Sequence, residues 1–455
     1  MEPFRHHLFV CSEEKPEGVP CCPAGGSWSI VCALKKELLA QGLDNDVQLT
    51  TCGCLGLCDD GPILVVYPGG VWYRKVEEAD VAEIVRSHLC AGTPVSRLVW
   101  ADAPTMKAQA TEHRDRYRAL LKAKDQAGIV PDDLNEAIRA FMPSRALLTA
   151  LELNIFSAVD AGDAAVQVAQ KIKTDPRATE MLLNVLVSLK LLEKKDGVFF
   201  NTPVSARFLT DASPDNARPA LLHTANLWRR WSTLTDAVRA GTSVSARARD
   251  EAGAVSFIAA MDRNAKERSA SVVKAVASGT LHRMLDLGGG SGAYSIALAR
   301  AIPGLHSEIL DVAEVLPLTQ EKIRKAGLTA RISTRAGDML RDPFGENFDL
   351  ILLSAICHMF SAEENRALFQ RAHRALSPSG LLVVQDFILN PEKTAPRFAT
   401  LFSLNMLVGT RAGSGYSEPE YTAWLREAGF SHIRRIPQPG PTGLLIATRD
   451  ERNPL

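Results

Sequence analysis

Residues 285–293 read LDLGGGSGA: an apolar strand that runs into a glycine loop and then into the helix-forming run GAYSIALARAIP. Strand, glycine turn and helix in that order open many α/β cofactor-binding folds. Working outward, strands and helices alternate. HSEILDV, ARISTRAGD, FDLILLSAI, GLLVVQDFIL and GLLIATR read as strands. VLPLTQEKIRKAG, SAEENRALFQRAHRAL and SEPEYTAWLREAG read as the helices between them. That alternation after His282 predicts a doubly wound, mainly parallel sheet.

Gly288, Gly290 and Ala293 fit G-x-G-x-x-A, and Asp311 ends the next strand, where a carboxylate can take both ribose hydroxyls. These two features suit NAD and S-adenosylmethionine (SAM) equally. Asp286 separates them. A carboxylate at the strand mouth repels a pyrophosphate and attracts an amino-acid ammonium group, and SAM has the ammonium without the phosphate. Asp338, after the third strand in AGDML, is a carboxylate that could meet the adenine amino group. Any one aspartate could be a solvated strand end or a helix cap, but three at consecutive strand ends mark the ligand edge of an open α/β sheet.

Upstream, residues 219–278 read as helices. Residues 131–211 are helical and end in LVSLKLLEKKDGVFFNTPVSARFL, a helix, turn and short strand with the look of a winged helix. The charged stretch APTMKAQATEHRDRYRALLKAKDQAG reads as a helical linker. The expected boundaries are 1–100, a linker over 101–130, then 131–218 and 219–455.

Seven of nine cysteines fall in the first sixty residues. Around them, HHLFVC and DVQLTTC read as strands, SWSIVCALKKELLAQGL as a helix, PILVVYP and GVWYRKV as a hairpin, and EEADVAEIVRSHL as a closing helix. Cys11, Cys22, Cys54 and Cys58, with gaps of ten, thirty-one and three residues, make one four-thiol set for zinc or an iron–sulfur cluster. Gly53 and Gly56 can bring backbone N–H groups to a cluster's sulfurs. Cys32 and Cys90 lie in helices and read as core.

FVCSEEKPEGVPCC, LTTCGCLGLCDDGPILVVYPGGVWY and EIVRSHL resemble the thioredoxin-like [2Fe-2S] ferredoxins. That resemblance implies an α+β domain whose ligands are Cys54, Cys58, Cys11 and one of Cys21 and Cys22. Gly26 and Ser27, which follow at the family's spacing, favour Cys22. LDLGGGSG, LDVAEVLPLT, AGDML and LSAICHMFSAEEN resemble the class I SAM-dependent O-methyltransferases of the caffeate and hydroxyneurosporene type. The implied architecture is a Rossmann-like methyltransferase domain behind a winged-helix dimerisation domain, so a homodimer. The implied cofactor residues are Asp286, Gly288, Gly290, Asp311, Asp338 and Met339. His358 is the implied general base and Asp386 its supporting acid, although this chain reads His358-Met359-Phe360 where the family commonly has His-Asp-Trp. The helix over the acceptor would carry Phe398, Phe402 and Met406, which suits a hydrophobic or aromatic hydroxylated acceptor.

The bulk numbers fit this reading. The chain has 455 residues, 52 basic and 52 acidic, with no net charge, and so no electrostatic case for nucleic acid or an anionic membrane. No signal-peptide pattern opens it and no apolar run would span a bilayer, so a cytoplasmic protein is expected. Methyl transfer is redox-neutral, so a cluster would regulate, dock a redox partner protein or feed a linked reaction. Two rival readings are a redox enzyme keeping SAM as a structural ligand, and a winged-helix DNA-binding regulator. The presumed recognition segment DPRATEMLLNVLVSLKLL is too apolar for phosphate contact.

Overall fold

The computed structural model describes residues 3–15, 19–100, 102–127, 130–160, 162–245, 251–276, 281–438 and 441–449. The expected linker ends at 101 and 128–130 fall partly outside the described residues, as does the helical expectation at 277–278. The chain divides into two compact units, 1–141 and 142–455.

In the first unit β1 (His6–Cys11), α1 (Ser27–Ala40), β2 (Val47–Cys52), β3 (Leu64–Tyr67) and β4 (Val71–Tyr73) follow one another. Next come α2 (Val81–Glu83), running on as a wider helical turn over Ile84–Cys90, then α3 (Ala103–Gln126) and α4 (Asp132–Arg139). The sheet order is β2-β1-β3-β4, with β1 and β2 parallel and the rest antiparallel. Leu8, Val10, Leu34, Val66, Tyr73 and Ile84 are fully withdrawn from water in its core. The expected small α+β unit is present, with two amendments. Cys32 and Cys90 are exposed rather than core: each sits on the solvent side of its helix. And α3 does not stand apart as a linker, because Met106 and Ala110 on it pack with Cys11, Cys22, Leu57 and Trp100.

The second unit begins with α5 (Phe141–Glu152), α6 (Ile155–Ala158), β5 (Asp163–Ala164), α7 (Ala165–Ile172), α8 (Pro176–Ser188), β6 (Leu192–Lys195), β7 (Val198–Asn201) and α9 (Pro203–Phe208). Asp175 caps α8 by accepting the Ala178 N–H, and Pro176 takes the first helical position, where no N–H is needed. The helix is followed by the β6–β7 hairpin with β5 alongside, so Leu192–Lys195 is a strand where the sequence reading had the helix run into a turn and one short strand. The helices α10 (Arg218–Trp231), α11 (Leu234–Ala240) and α12 (Glu251–Val276) lead to the large sheet.

That sheet comprises β8 (Arg283–Leu287), α13 (Ala293–Ala301), β9 (His306–Asp311), α14 (Leu316–Lys325), β10 (Ile332–Ala336), β11 (Phe348–Ser354), α15 (Ala362–Ala375) and β12 (Leu376–Asp386). The short pair β13 (Ile388–Leu389) and β14 (Tyr416–Ser417) brackets α16 (Arg397–Gly409). Then come α17 (Glu418–Glu427), β15 (Ser431–Pro437) and β16 (Gly443–Thr448). The order is β10-β9-β8-β11-β12-β16-β15, with only the last two strands antiparallel to their neighbours. Parallel strands are buried on both faces, and alternate residues divide between two cores. Leu285, Leu287, Ile351, Leu353 and Val384 enter one. Met284, Leu350, Leu352 and Val383 enter the other. Strand order reverses between β8 and β11, where such sheets leave a crevice at their carboxyl ends. No described helix is long and apolar enough to cross a membrane.

Candidate functional site

The glycine loop joins β8 to α13. Gly288 has φ +68°, and a Cβ there would stand 2.4 Å from the Ile356 side chain and 3.0 Å from Met339, so only glycine lets the loop approach these neighbours. Gly290 donates its N–H to Asp311 Oδ2 at 2.8 Å, and the Val312 N–H reaches Oδ1 at 2.8 Å. The end of β9 is thereby tied to the loop. Burial pushes the Asp311 carboxyl up, against the pull of those two donors.

Asp286 lies in β8 and is almost completely buried. One of its oxygens accepts from Ser295 Oγ at 2.7 Å, while Oδ1 has no partner. Burial, and then the nearby Asp311 charge, push it up to about 7 despite the Ser295 bond. A buried carboxylate oxygen with no donor suits a cationic ligand group, and the ammonium of SAM is one. The residues present therefore fit SAM at this edge. Asp338 follows β10, with its side chain about half exposed and its Oδ1 accepting the Leu340 N–H at 2.8 Å.

Across the crevice, His358 follows β11 in a single turn (Cys357–Met359) and is buried. Its Nδ1 lies 2.6 Å from Asp386 Oδ1, and its own backbone N–H donates to Asp386 Oδ2 at 3.1 Å. A carboxylate only accepts, so Nδ1 carries a proton, and in the neutral ring Nε2 then has the lone pair. The next helix is capped by Ser361, through a reciprocal box with Glu364. Asp386 is fully buried and also accepts from the Phe387 N–H at 2.8 Å and the Tyr421 hydroxyl at 3.2 Å. The sequence reading missed Tyr421, because α17 meets β12 only in the folded chain. Phe402 of α16 stands edge-on to the His358 ring at 4.7 Å between centroids, and Phe387 packs on both Phe402 and Phe398. Met406 of the same helix is buried.

The cysteine loop is a separate site. Cys54 Sγ and Cys58 Sγ are 3.3 Å apart. The Cys11 thiol interacts with those of Cys22 and Cys54, and the Cys22 thiol with those of Cys11 and Cys58, so the four free thiols are neighbours in a ring. Cys22 is buried in this ring and Cys21 does not enter it. Hydrogen bonds from Cys11 and then Cys58 hold the Cys54 thiol far below its usual range, and the Gly56 N–H adds a bond at 3.3 Å. Four neighbouring thiols are the residue type that a group taking thiolates needs, while among the described residues the set of metal-ligating atoms all within 4.8 Å of one another is Cys54, Cys58 and His113. His113 was not anticipated: a ligand nitrogen of it lies within 4.8 Å of both Cys54 and Cys58 sulfurs.

The strand order, the carboxylates at the ends of β8 and β9 and the glycine loop between them define a SAM-dependent methyltransferase. Comparisons with known proteins narrow this class. The O-methyltransferase domain family matches residues 231–431, and the O-methyltransferase dimerisation domain matches residues 135–211. The chain is 33% identical to a 3-hydroxy-5-methyl-1-naphthoate 3-O-methyltransferase of Streptomyces sahachiroi, over 70% of this chain and 95% of that one. It is 30% identical to the tetracenomycin polyketide synthesis 8-O-methyl transferase of Streptomyces glaucescens, over 70% of this chain and 97% of that one. Human N-acetylserotonin methyltransferase, solved in complex with SAM, superposes with a TM-score of 0.63 at 28% identity, covering 70% of this chain and 96% of that one. The chain belongs to the O-methyltransferase family and is a SAM-dependent O-methyltransferase. The dimerisation-domain match supports a homodimer.

Proposed function

We propose that the enzyme methylates a hydroxyl on a hydrophobic or aromatic small molecule, with His358 as general base and Asp386 holding it. The observation that carries this reading is the buried 2.6 Å His358–Asp386 contact beside Phe387 and Phe402. The relatives' names, a naphthoate, a tetracenomycin polyketide and N-acetylserotonin, support an aromatic acceptor.

SAM supplies an electrophilic methyl group on a sulfonium. Asp286 would meet its ammonium and Asp311 its ribose, with Gly288 and Gly290 giving close backbone approach and Met339 lining the loop. With SAM bound, its S–CH3 bond would break toward the acceptor oxygen and release the neutral thioether, and His358 Nε2 would take the hydroxyl proton. Asp386 fixes the ring's tautomer and offsets the imidazolium charge that forms. Phe387, Phe398 and Phe402 exclude water and orient a flat acceptor, and positioning supplies much of what an in-line displacement requires. The test is transfer of labelled methyl from SAM to a panel of phenols and aliphatic alcohols. Label on a phenolic oxygen is expected. Transfer only to nitrogen or carbon acceptors would overturn the reading.

For the first unit we propose a thioredoxin-like [2Fe-2S] ferredoxin domain with Cys11, Cys22, Cys54 and Cys58 as ligands, in a regulatory or electron-transfer role toward a redox partner protein. The proposed division is a ferredoxin domain over 1–100, a winged-helix dimerisation domain over 131–218 and the methyltransferase domain over 219–455. Anaerobically purified protein is expected to hold about two irons per chain, as such a centre requires. Cys54→Ser or Cys58→Ser should bleach it and Cys21→Ser should not. Stoichiometric zinc without iron would overturn it.

A further inference from the structure

The helix that reads as a linker carries Met106, Ala110, His113 and Tyr117 at the spacing of one helical stripe. This stripe faces the cysteine loop. Met106 and Ala110 pack among Cys11, Cys22 and Leu57. Gly56, at φ +83°, comes so close that a Cβ on it would lie 3.3 Å from the Ala110 Cβ. One turn further on, His113 is 4% exposed, and its Nε2 is 2.6 Å from Lys15 Nζ. Lys15 Nζ is in turn 3.1 Å from Cys58 Sγ and sits 4.9 Å above the Tyr117 ring. At the rim, Arg116 pairs with Asp59, next to Cys58, at 2.6 Å. An ammonium is thus drawn onto a sulfur by two residues of a helix outside the sheet domain.

One-electron reduction adds a negative charge to a cluster held by four thiolates. A cation about 3 Å from one of those sulfurs favours the reduced form, and more so where water is excluded. We propose that α3 is a wall of the cluster site, and that Lys15, held in place by His113, raises the cluster's reduction potential. This rests on the [2Fe-2S] reading above. Lys15 and His113 act through the sulfurs as positioning and charge-bearing residues.

The test is a mediated dithionite titration of the full-length protein, followed by electron paramagnetic resonance, with iron counted in every sample. Lys15→Gln is expected to keep its iron and lower the reduction equilibrium constant about tenfold, a shift of about 59 mV to more negative potential. His113→Gln should shift the potential in the same direction by less. Lys15→Arg, which keeps the charge, should stay near the wild-type potential, as should Lys122→Gln on an exposed part of the same helix. Full iron with an unchanged potential in Lys15→Gln would overturn the proposal and leave the cluster reading intact. Loss of iron in both Lys15→Gln and Lys15→Arg would also overturn it, since shape rather than charge would then matter. Wild-type protein without iron would overturn the cluster reading and this inference with it.

Discussion

His358 Nδ1 and Asp386 Oδ1 lie 2.6 Å apart, with both side chains buried. If Nε2 takes the acceptor proton, His358→Ala should cut turnover by about a hundredfold or more while SAM affinity holds. Asp386→Asn can present an amide donor to Nδ1 and drive the proton to Nε2, so turnover should fall at least tenfold with the acceptor KM little changed. Steady-state kinetics with calorimetry of SAM binding checks both. Wild-type turnover in His358→Ala would remove it from the mechanism.

Tyr421 donates to the oxygen of Asp386 that also takes the His358 backbone N–H. Such a bond is worth about 1 kcal/mol, so Tyr421→Phe should lower turnover about fivefold. The same change should have almost no effect in an Asp386→Asn background. Equal losses in both backgrounds would mean that Tyr421 acts only through packing.

Asp286 has a folded-state pKa of about 7, against an ordinary carboxyl value of about 4. Between those values the native protein holds a proton that the unfolded chain has released. The stability this contributes is fully present below about pH 4 and is lost as pH rises toward 7. Ligand-free Asp286→Asn should therefore lose less thermal stability than wild type between pH 4.5 and 7.5. Parallel Tm curves would refute the assignment.

Asp311 bridges the Gly290 and Val312 N–H groups and closes the loop over the proposed ribose position. Asp311→Ala should weaken SAM binding by about an order of magnitude or more, since charge-assisted hydrogen bonds are lost. Unchanged affinity by calorimetry would refute the role.

The relatives at 95% and 97% coverage match only 70% of this chain, and both family matches lie between residues 135 and 431. A chain beginning near residue 131 is therefore expected to fold, dimerise and bind SAM with near-native affinity. Size-exclusion chromatography with light scattering and calorimetry would check this. Loss of SAM binding would show that the first unit is needed for the second to fold.

Most of the large sheet was legible because its parallel strands, buried on both faces, read as short apolar runs between amphipathic helices. The edge strand β15, SHIRRIP, was not: charged residues are usual at a sheet edge, and they erase the apolar signal. Spacing in the chain pointed to the glycine loop, to Asp286 and Asp311 at the strand ends and to four of the nine cysteines, because each belongs to a local pattern, whereas His358 and Asp386 came only from the resemblance to the O-methyltransferases. Only the tertiary structure decided what depends on elements meeting across the fold. It exposed Cys32 and Cys90, buried Cys22 but not Cys21, brought Tyr421 behind Asp386 and laid His113 of α3 beside Lys15. A contact between residues about a hundred positions apart leaves no mark in local periodicity, since each partner alone is an ordinary polar side chain on an amphipathic segment.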